Sequence, residues 1–454
     1  MTKIYSARWV LPVASAPIRD GAVAVEGTRI VGVGARDELE RRFPSASSED
    51  FGEAAITPGF VNCHSHLELT VMRGFLEAEE NDFFAWLRKL TIARALRMTP
   101  EDAEASAAWG AVEAARAGVT CVGDASDAGA SAMKALREVG LRGIVFQEAF
   151  GPDEANAREQ FDKAREKVER LRDGQTPLVR LGLSPHAPYT VSAPLLSMLA
   201  RYASDEGLPV MMHAAESEAE RQLLLEGAGA FAEGFKARGI NFRPPGVATI
   251  KHLAETGVLD TRPLLAHCIR VDEDDLRLIA ASGASVAHCP KSNAKLGHGR
   301  APLAAMLRAG VAVGLGSDSV ASNNLCDLLE ESRFAVLASR AAGDALEGGR
   351  MVGAGEALEL LTRGGAGALR LEHATGALAE GLEADLVAVR IDAAHQLPVY
   401  DPASTLVFSS SGRDVLLTVV AGREVFRDGR VTTVDEDELR ERVRDIARRL
   451  SDGG

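Results

Sequence analysis

The sequence lacks any apolar run long enough to span a bilayer, so a helical membrane protein is not expected. It also lacks a basic excess: 51 basic side chains face 65 acidic ones, for a net charge of −14. That balance repels polyanions, which argues against nucleic-acid polymers and anionic membranes as partners but leaves small nucleosides open. Cysteine is scarce. The five residues Cys63, Cys121, Cys268, Cys289 and Cys326 are odd in number and widely spaced, with no C-x-x-C pair. They read as reduced thiols, which points to the cytoplasm. The opening MTKIYSARWVLPVASA has no continuous apolar core and does not read as a signal peptide. Aromatic residues make up only 5%. No Gly-rich phosphate fingerprint follows the first core strand, which disfavours a dinucleotide-binding doubly wound sheet.

What the chain does contain is a change of grammar along its length. Residues 1–57 alternate short β-type pieces with turns, and the same pattern returns at 372–432. These two stretches are expected to form one small β-sandwich domain assembled from both termini. Residues 433–454 have helical spacing, with apolar positions on one face and charges on the other. Between them, residues 58–371 repeatedly pair a short apolar run with an Ala-rich, charged helical segment. The runs are ITPGFVNCH, VTCVGDAS, RGIVFQEAF, VRLGLSPHA, LPVMMHAA, RPLLAHC, ASVAHCP and VAVGLGSDS. Eight β/α units in series predict an α/β fold of the (β/α)₈ TIM-barrel type.

The histidines fall at the ends of these runs. His64 and His66 end the first, His186 the fourth, His213 the fifth, His267 the sixth and His288 the seventh, while Asp318 ends the eighth. Barrel enzymes build their sites at the carboxyl ends of strands, so these groups are expected to converge. His64 and His66 lie at i and i+2, on one face of a strand, although such a pair alone reads equally well as a hydrogen-bonded strand end. With His213 and Asp318 they form a set of nitrogen and oxygen donors suited to one divalent metal ion, Zn²⁺ or Fe²⁺ rather than Mg²⁺. The fourth run carries Arg180 but no lysine, so a carbamylated lysine bridging two metals is not expected.

Glu216, three residues past His213, is placed to serve as a general acid/base, or else is a solvated glutamate in a first helical turn. His267 and Asp318 are expected to handle the attacking water, and His186 to contact substrate. His288 reads either as a substrate contact or as a buried, satisfied histidine. Glu68 and Glu148 each read as a substrate contact at the mouth or as a loop carboxylate facing water. Phe83, Phe84 and Trp86 either stack on a heteroaromatic ring or pack their own helix. The segment GAGAFAEGFKARGINFRPPG is long enough to act as a lid. His252, His298, His373 and His395 lie in helical, loop or terminal contexts and carry no expected chemistry.

PGFVNCHSHLELT, SPHAPYT, HAAES, LLAHC, HCPKSN and GSDS, in this order, resemble the amidohydrolase superfamily. The likeness is strongest to its mononuclear-metal branch of nucleoside and purine deaminases and triazine hydrolases. HSHLELT, DFFAWLRKL and GIVFQEAFG look most like the aminodeoxyfutalosine deaminase group. The resemblance implies His64, His66, His213 and Asp318 as metal ligands, Glu216 as the proton shuttle, His267 as the group orienting water and His186 as a substrate histidine. It implies hydrolytic deamination of an adenine-type nucleoside by metal-activated hydroxide. Hydrolysis of another C–N or C–Cl bond, in guanine, a triazine or a cyclic amide, is the alternative. The partner implied is a small heteroaromatic substrate. The sequence does not set the oligomeric state, and a homodimer is one option.

Overall fold

The structure is a computed structural model that describes residues 1–451. The chain begins with five strands: β1 (Thr2–Val10), β2 (Ile18–Glu26), β3 (Arg29–Ala35), β4 (Ser47–Asp50) and β5 (Ala54–Pro58). Next come β6 (Phe60–Ser65), β7 (Val119–Ser126), β8 (Arg142–Ala149) and β9 (Val179–Pro185). They are followed by β10 (Met211–Ala214), β11 (Leu264–His267), β12 (Ser285–His288) and β13 (Ala312–Leu315). The last are β14 (Leu386–Arg390), β15 (Val415–Val420), β16 (Arg423–Arg427) and β17 (Arg430–Val431).

Both ends of the chain share one nine-stranded sheet, ordered β17-β16-β15-β14-β5-β1-β2-β3 with β4 beside β1. They meet where β5 and β14 pair antiparallel, from Leu386↔Pro58 to Arg390↔Ala54. Every second residue of these strands points to one side, and Tyr5, Val23, Val25, Ile56, Leu386 and Leu417 build a separate apolar core there.

The middle strands form two four-stranded parallel sheets, β6-β7-β8-β9 and β10-β11-β12-β13. Single parallel bridges join their edges, Leu183↔Val210 on one side and Ser65↔Asp318 on the other. Every residue of β6, β7 and β8 is buried, as strands covered on both faces require. Val61, Cys63, Ile144, Phe146, Met211 and Leu264 form an inner cluster.

The run ITPGFVNCH reads as one strand but divides into two. Ala54–Pro58 joins the terminal sheet and Phe60–Ser65 the parallel one. Gly59 sits at the crossing, where a Cβ would lie 2.1 Å from the Thr120 side chain. No other residue fits so close an approach.

Buried polar contacts tie the two parts together. Arg142, at the start of β8, donates from Nε to Asp385 Oδ2 at 2.8 Å and also reaches Glu383. Thr418 of β15 donates to the carbonyl of Ala115, in the Pro100–Arg116 helix, at 2.8 Å. Thr418→Val keeps the shape and removes this one bond, so it is expected to lower stability by about 1 kcal/mol, read from the urea midpoint. The Glu436–Ser451 helix buries Leu439, Ile446 and Leu450. Its Arg449 pairs with Asp102 of the Pro100–Arg116 helix at 2.5 Å. All five cysteines are buried and unpaired. Among the described residues, no helix is long and apolar enough to cross a membrane.

Candidate active site

The strand ends bring two overlapping groups of possible metal ligands together, His64, His66 and His213, and His64, His267 and Asp318. His64 lies in β6, His66 one residue beyond it, and His213 in β10. His66 Nε2 and His213 Nε2 stand 3.2 Å apart. Asp318 Oδ1 lies 3.3 Å from His64 Nε2 and 3.6 Å from His66 Nε2.

Their partners fix which nitrogens carry protons. His64 Nδ1 faces the Met211 sulfur at 3.2 Å, and His213 Nδ1 faces the His186 carbonyl at 2.8 Å. Both partners can only accept, so the protons sit on Nδ1 and each Nε2 offers a lone pair. Burial, with the neighbouring rings, pushes His66 down to about 3 and His186 and His213 well below the usual histidine range. Lone pairs of neutral imidazoles and a carboxylate oxygen thus face one another without a hydrogen between them. Buried His64 Nε2 has no hydrogen-bond partner among the described residues. Such a donor set fits a divalent cation, which would satisfy every one of these atoms.

Asp318 is held from its other side. Its Oδ2 accepts from Ser292 Oγ at 2.6 Å and Ser322 Oγ at 3.1 Å, and its Oδ1 from the Ser319 amide at 2.7 Å. The backbone is strained at this rim: His267 and Asp318 take φ values of 75° and 56°, in the left-handed region.

Glu216 follows β10 and is buried beside the donors. Its Oε2 accepts from the Tyr189 hydroxyl at 3.1 Å, and its amide donates to Glu220 at 3.0 Å. Burial pushes its carboxyl up to about 8; the charge of Asp318 adds to this, while the hydrogen bond from Tyr189 opposes it. The side chain is 4% exposed, which excludes the reading of a solvated glutamate. His267 contacts Asn293 Oδ1 through Nδ1 at 2.9 Å and points Nε2 toward Glu216 Oε1 at 3.6 Å.

A cavity of about 500 Å³ opens above these groups. His186 and Glu148 line it with their polar ends 3.9 Å apart, and His186 is oriented by Thr190 Oγ1 at 2.8 Å. Its apolar wall comes from two connections. The Phe83–Arg97 helix supplies Phe83, Phe84 and Trp86, and the Ala230–Ala237 helix supplies Phe231 and Phe235. The helices meet at Phe84 and Phe231, with ring centroids 5.9 Å apart. Gly234 permits the contact, since a Cβ there would stand 2.9 Å from the Phe84 ring. The aromatic residues thus face the cavity and pack on one another as well.

Three sequence expectations require correction. Glu68 neither lines the cavity nor faces water: it is 2% exposed. Its carboxylate accepts from Ser126 Oγ, the amides of Asp127 and Ala128, and Arg94. Arg94 lines the cavity in its place. His288 is buried and lines a second cavity, with Asn293 and Arg300, rather than the first. His298, expected to carry no chemistry, is brought in from the loop after the Pro290–Lys295 helix. Its Nε2 stands 3.7 Å from Glu216 Oε1. The only local hint was its setting between Gly297 and Gly299, both at positive φ.

Neutral imidazoles and one carboxylate gathered at the ends of parallel strands, with a buried carboxyl beside them, define a metal-dependent hydrolase centre. The chain belongs to the amidohydrolase family, whose model matches residues 55–425. This membership brings with it a TIM-barrel-type α/β fold. A second model, the imidazolonepropionase-like composite domain of bacteria, matches residues 21–46 within the terminal sheet.

The chain is 32% identical to the 5-methylthioadenosine/S-adenosylhomocysteine deaminase of Nitratidesulfovibrio vulgaris strain Hildenborough, over 94% of this chain and 92% of the relative. It is also 32% identical to the 5'-deoxyadenosine deaminase of Methanopyrus kandleri, over 96% of each. Among solved structures it resembles a zinc-bound adenosine deaminase from Xanthomonas campestris, with a TM-score of 0.86 and 28% identity over 99% of this chain and 98% of the other. A triazine hydrolase at 22% identity, with a TM-score of 0.84 over 98% of this chain and 99% of the other, shares the fold.

Proposed function

We propose that this chain is a metal-dependent aminohydrolase that removes the exocyclic amine of an adenine-type nucleoside. One observation carries the reading: a buried carboxyl, Glu216, lies beside the His/Asp donors and lines an aromatic cavity with them. The names of the relatives support it. The eight parallel strands are read as one closed barrel spanning residues 58–371. The terminal sheet is read as folding over its own core into a sandwich of residues 1–57 and 372–432, followed by the C-terminal helix expected over 433–454, of which 452–454 lie outside the described residues.

His64, His66, His213 and Asp318 would hold the ion. Zinc is favoured over iron by the zinc in the Xanthomonas structure. A divalent ion held by these residues would supply the acidity that makes a water nucleophilic near neutral pH. The chain's own residues do the rest. His267, with its proton on Nδ1, offers an Nε2 lone pair that orients the attacking water. Glu216 gives its proton to the ring nitrogen beside the amine-bearing carbon. Negative charge grows on that nitrogen only as the carbon becomes tetrahedral, so the donor lowers the barrier selectively. Asp318 and Glu216 then relay the proton that lets the amine depart as ammonia. Trp86, His186 and Glu148 hold the substrate against this centre.

Two experiments test the reading. Ammonia release should follow addition of adenine nucleosides; turnover of guanine or triazines alone would overturn the substrate class. Turnover should also fall as pH rises and Glu216 loses its proton. The Tyr189 hydroxyl favours the ionised form of Glu216, so Tyr189→Phe should raise that pKa and move the alkaline limb to higher pH. A limb that stays put would remove Glu216 as its source.

A further inference from the structure

Glu216 is met at each of its two oxygens by a side chain that also touches Phe83. Tyr189 donates to Oε2, and its ring lies 6.4 Å from that of Phe83. His298 stands 3.7 Å from Oε1, with its ring edge-on to Phe83 at 4.5 Å and 89°. Phe83 belongs to the helix that walls the cavity, so both contacts connect the shuttle carboxyl to that wall.

His298 differs from its neighbour His267 in one respect. The tautomer of His267 is set by Asn293. His298 is 6% exposed, yet its buried Nε2 has no hydrogen-bond partner among the described residues. A buried imidazole left this way has a polar atom awaiting a partner. The nearest polar group recorded for Nε2 is the Glu216 carboxyl. Its backbone is fixed, with the amide donating to the Asn293 carbonyl at 2.9 Å, so the residue that sets His267 also anchors the loop carrying His298.

We infer that His298 is a positioning residue for the proton shuttle, holding the Glu216 carboxyl in both of its protonation states. A neutral imidazole free to choose its tautomer presents a lone pair to the protonated carboxyl. It presents an N–H to the carboxylate left after the proton moves to substrate. Without it, that carboxylate faces the charge of Asp318 in a buried site with only Tyr189 to donate to it. His298 touches neither the proposed ligands nor the reacting atoms; it acts through Glu216.

The inference rests on the deaminase reading, and the test separates the two. Wild type, His298→Ala and His298→Gln are loaded with zinc, and kcat and KM are measured from ammonia release on adenosine and 5'-deoxyadenosine. Metal content and melting temperature are followed in parallel. The Ala variant is expected to lose about 10-fold in kcat, within the ~100-fold that a misplaced group costs, with KM changed less than about twofold and full metal content. The Gln variant, which offers both a donor and an acceptor, should regain most of that loss. An Ala variant with wild-type kcat, or a Gln variant as slow as Ala at the same melting temperature, overturns the inference while the deaminase reading stands. A wild type that releases no ammonia removes that reading and this inference with it.

Discussion

Replacing Glu216 by glutamine should leave the metal in place and cost more than ~100-fold in turnover, the scale of losing a general acid/base. The substitution is nearly isosteric. The glutamine carbonyl still accepts from Tyr189 Oη, which lies 3.1 Å from Oε2 in the native site. What disappears is the transferable proton, since an amide does not ionise in this range. Elemental analysis and ammonia release on the same preparation separate the two effects. Glu216→Gln with its metal retained and near-native turnover would mean that the proton comes from elsewhere. Loss of the metal would instead make Glu216 part of the ion's support.

His64→Ala should abolish both metal and turnover. His64 is wholly buried, its Nδ1 is engaged by Met211, and its Nε2 faces Asp318 Oδ1 at 3.3 Å. Alanine removes the donor and leaves a void that no neighbour fills. A bound ion stabilises the folded chain by mass action, so metal should raise the melting temperature of the wild type. That shift should vanish in His64→Ala, giving a readout independent of activity. Full occupancy, or an unchanged shift, would take His64 out of the ligand set.

Much of this centre was legible because strand geometry is local. Side chains alternate with a period of two, so His64 and His66 had to share a face if their run was a strand. Parallel strands in series also expose their carboxyl ends on one side. His213 and Asp318 then followed from their position in their runs alone. Glu216 was legible as a position, but not in its protonation state. Three residues past His213 places it near the site; only burial beside Asp318 lifts its carboxyl to about 8.

The remainder depended on packing between segments distant in sequence. Glu68 stands two residues from His66, yet it turns away to meet the amides of Asp127 and Ala128, 59 and 60 residues along the chain. His288 ends its strand as His267 does, but it faces the second cavity. His298 looked like an ordinary loop residue until the chain brought it 3.7 Å from Glu216. Periodicity alone placed the side chains of His64 and His213 on their strands, because a strand's own backbone sets where its side chains point. The tertiary structure decided everything carried by the connections, whose direction is set by the surfaces they pack against.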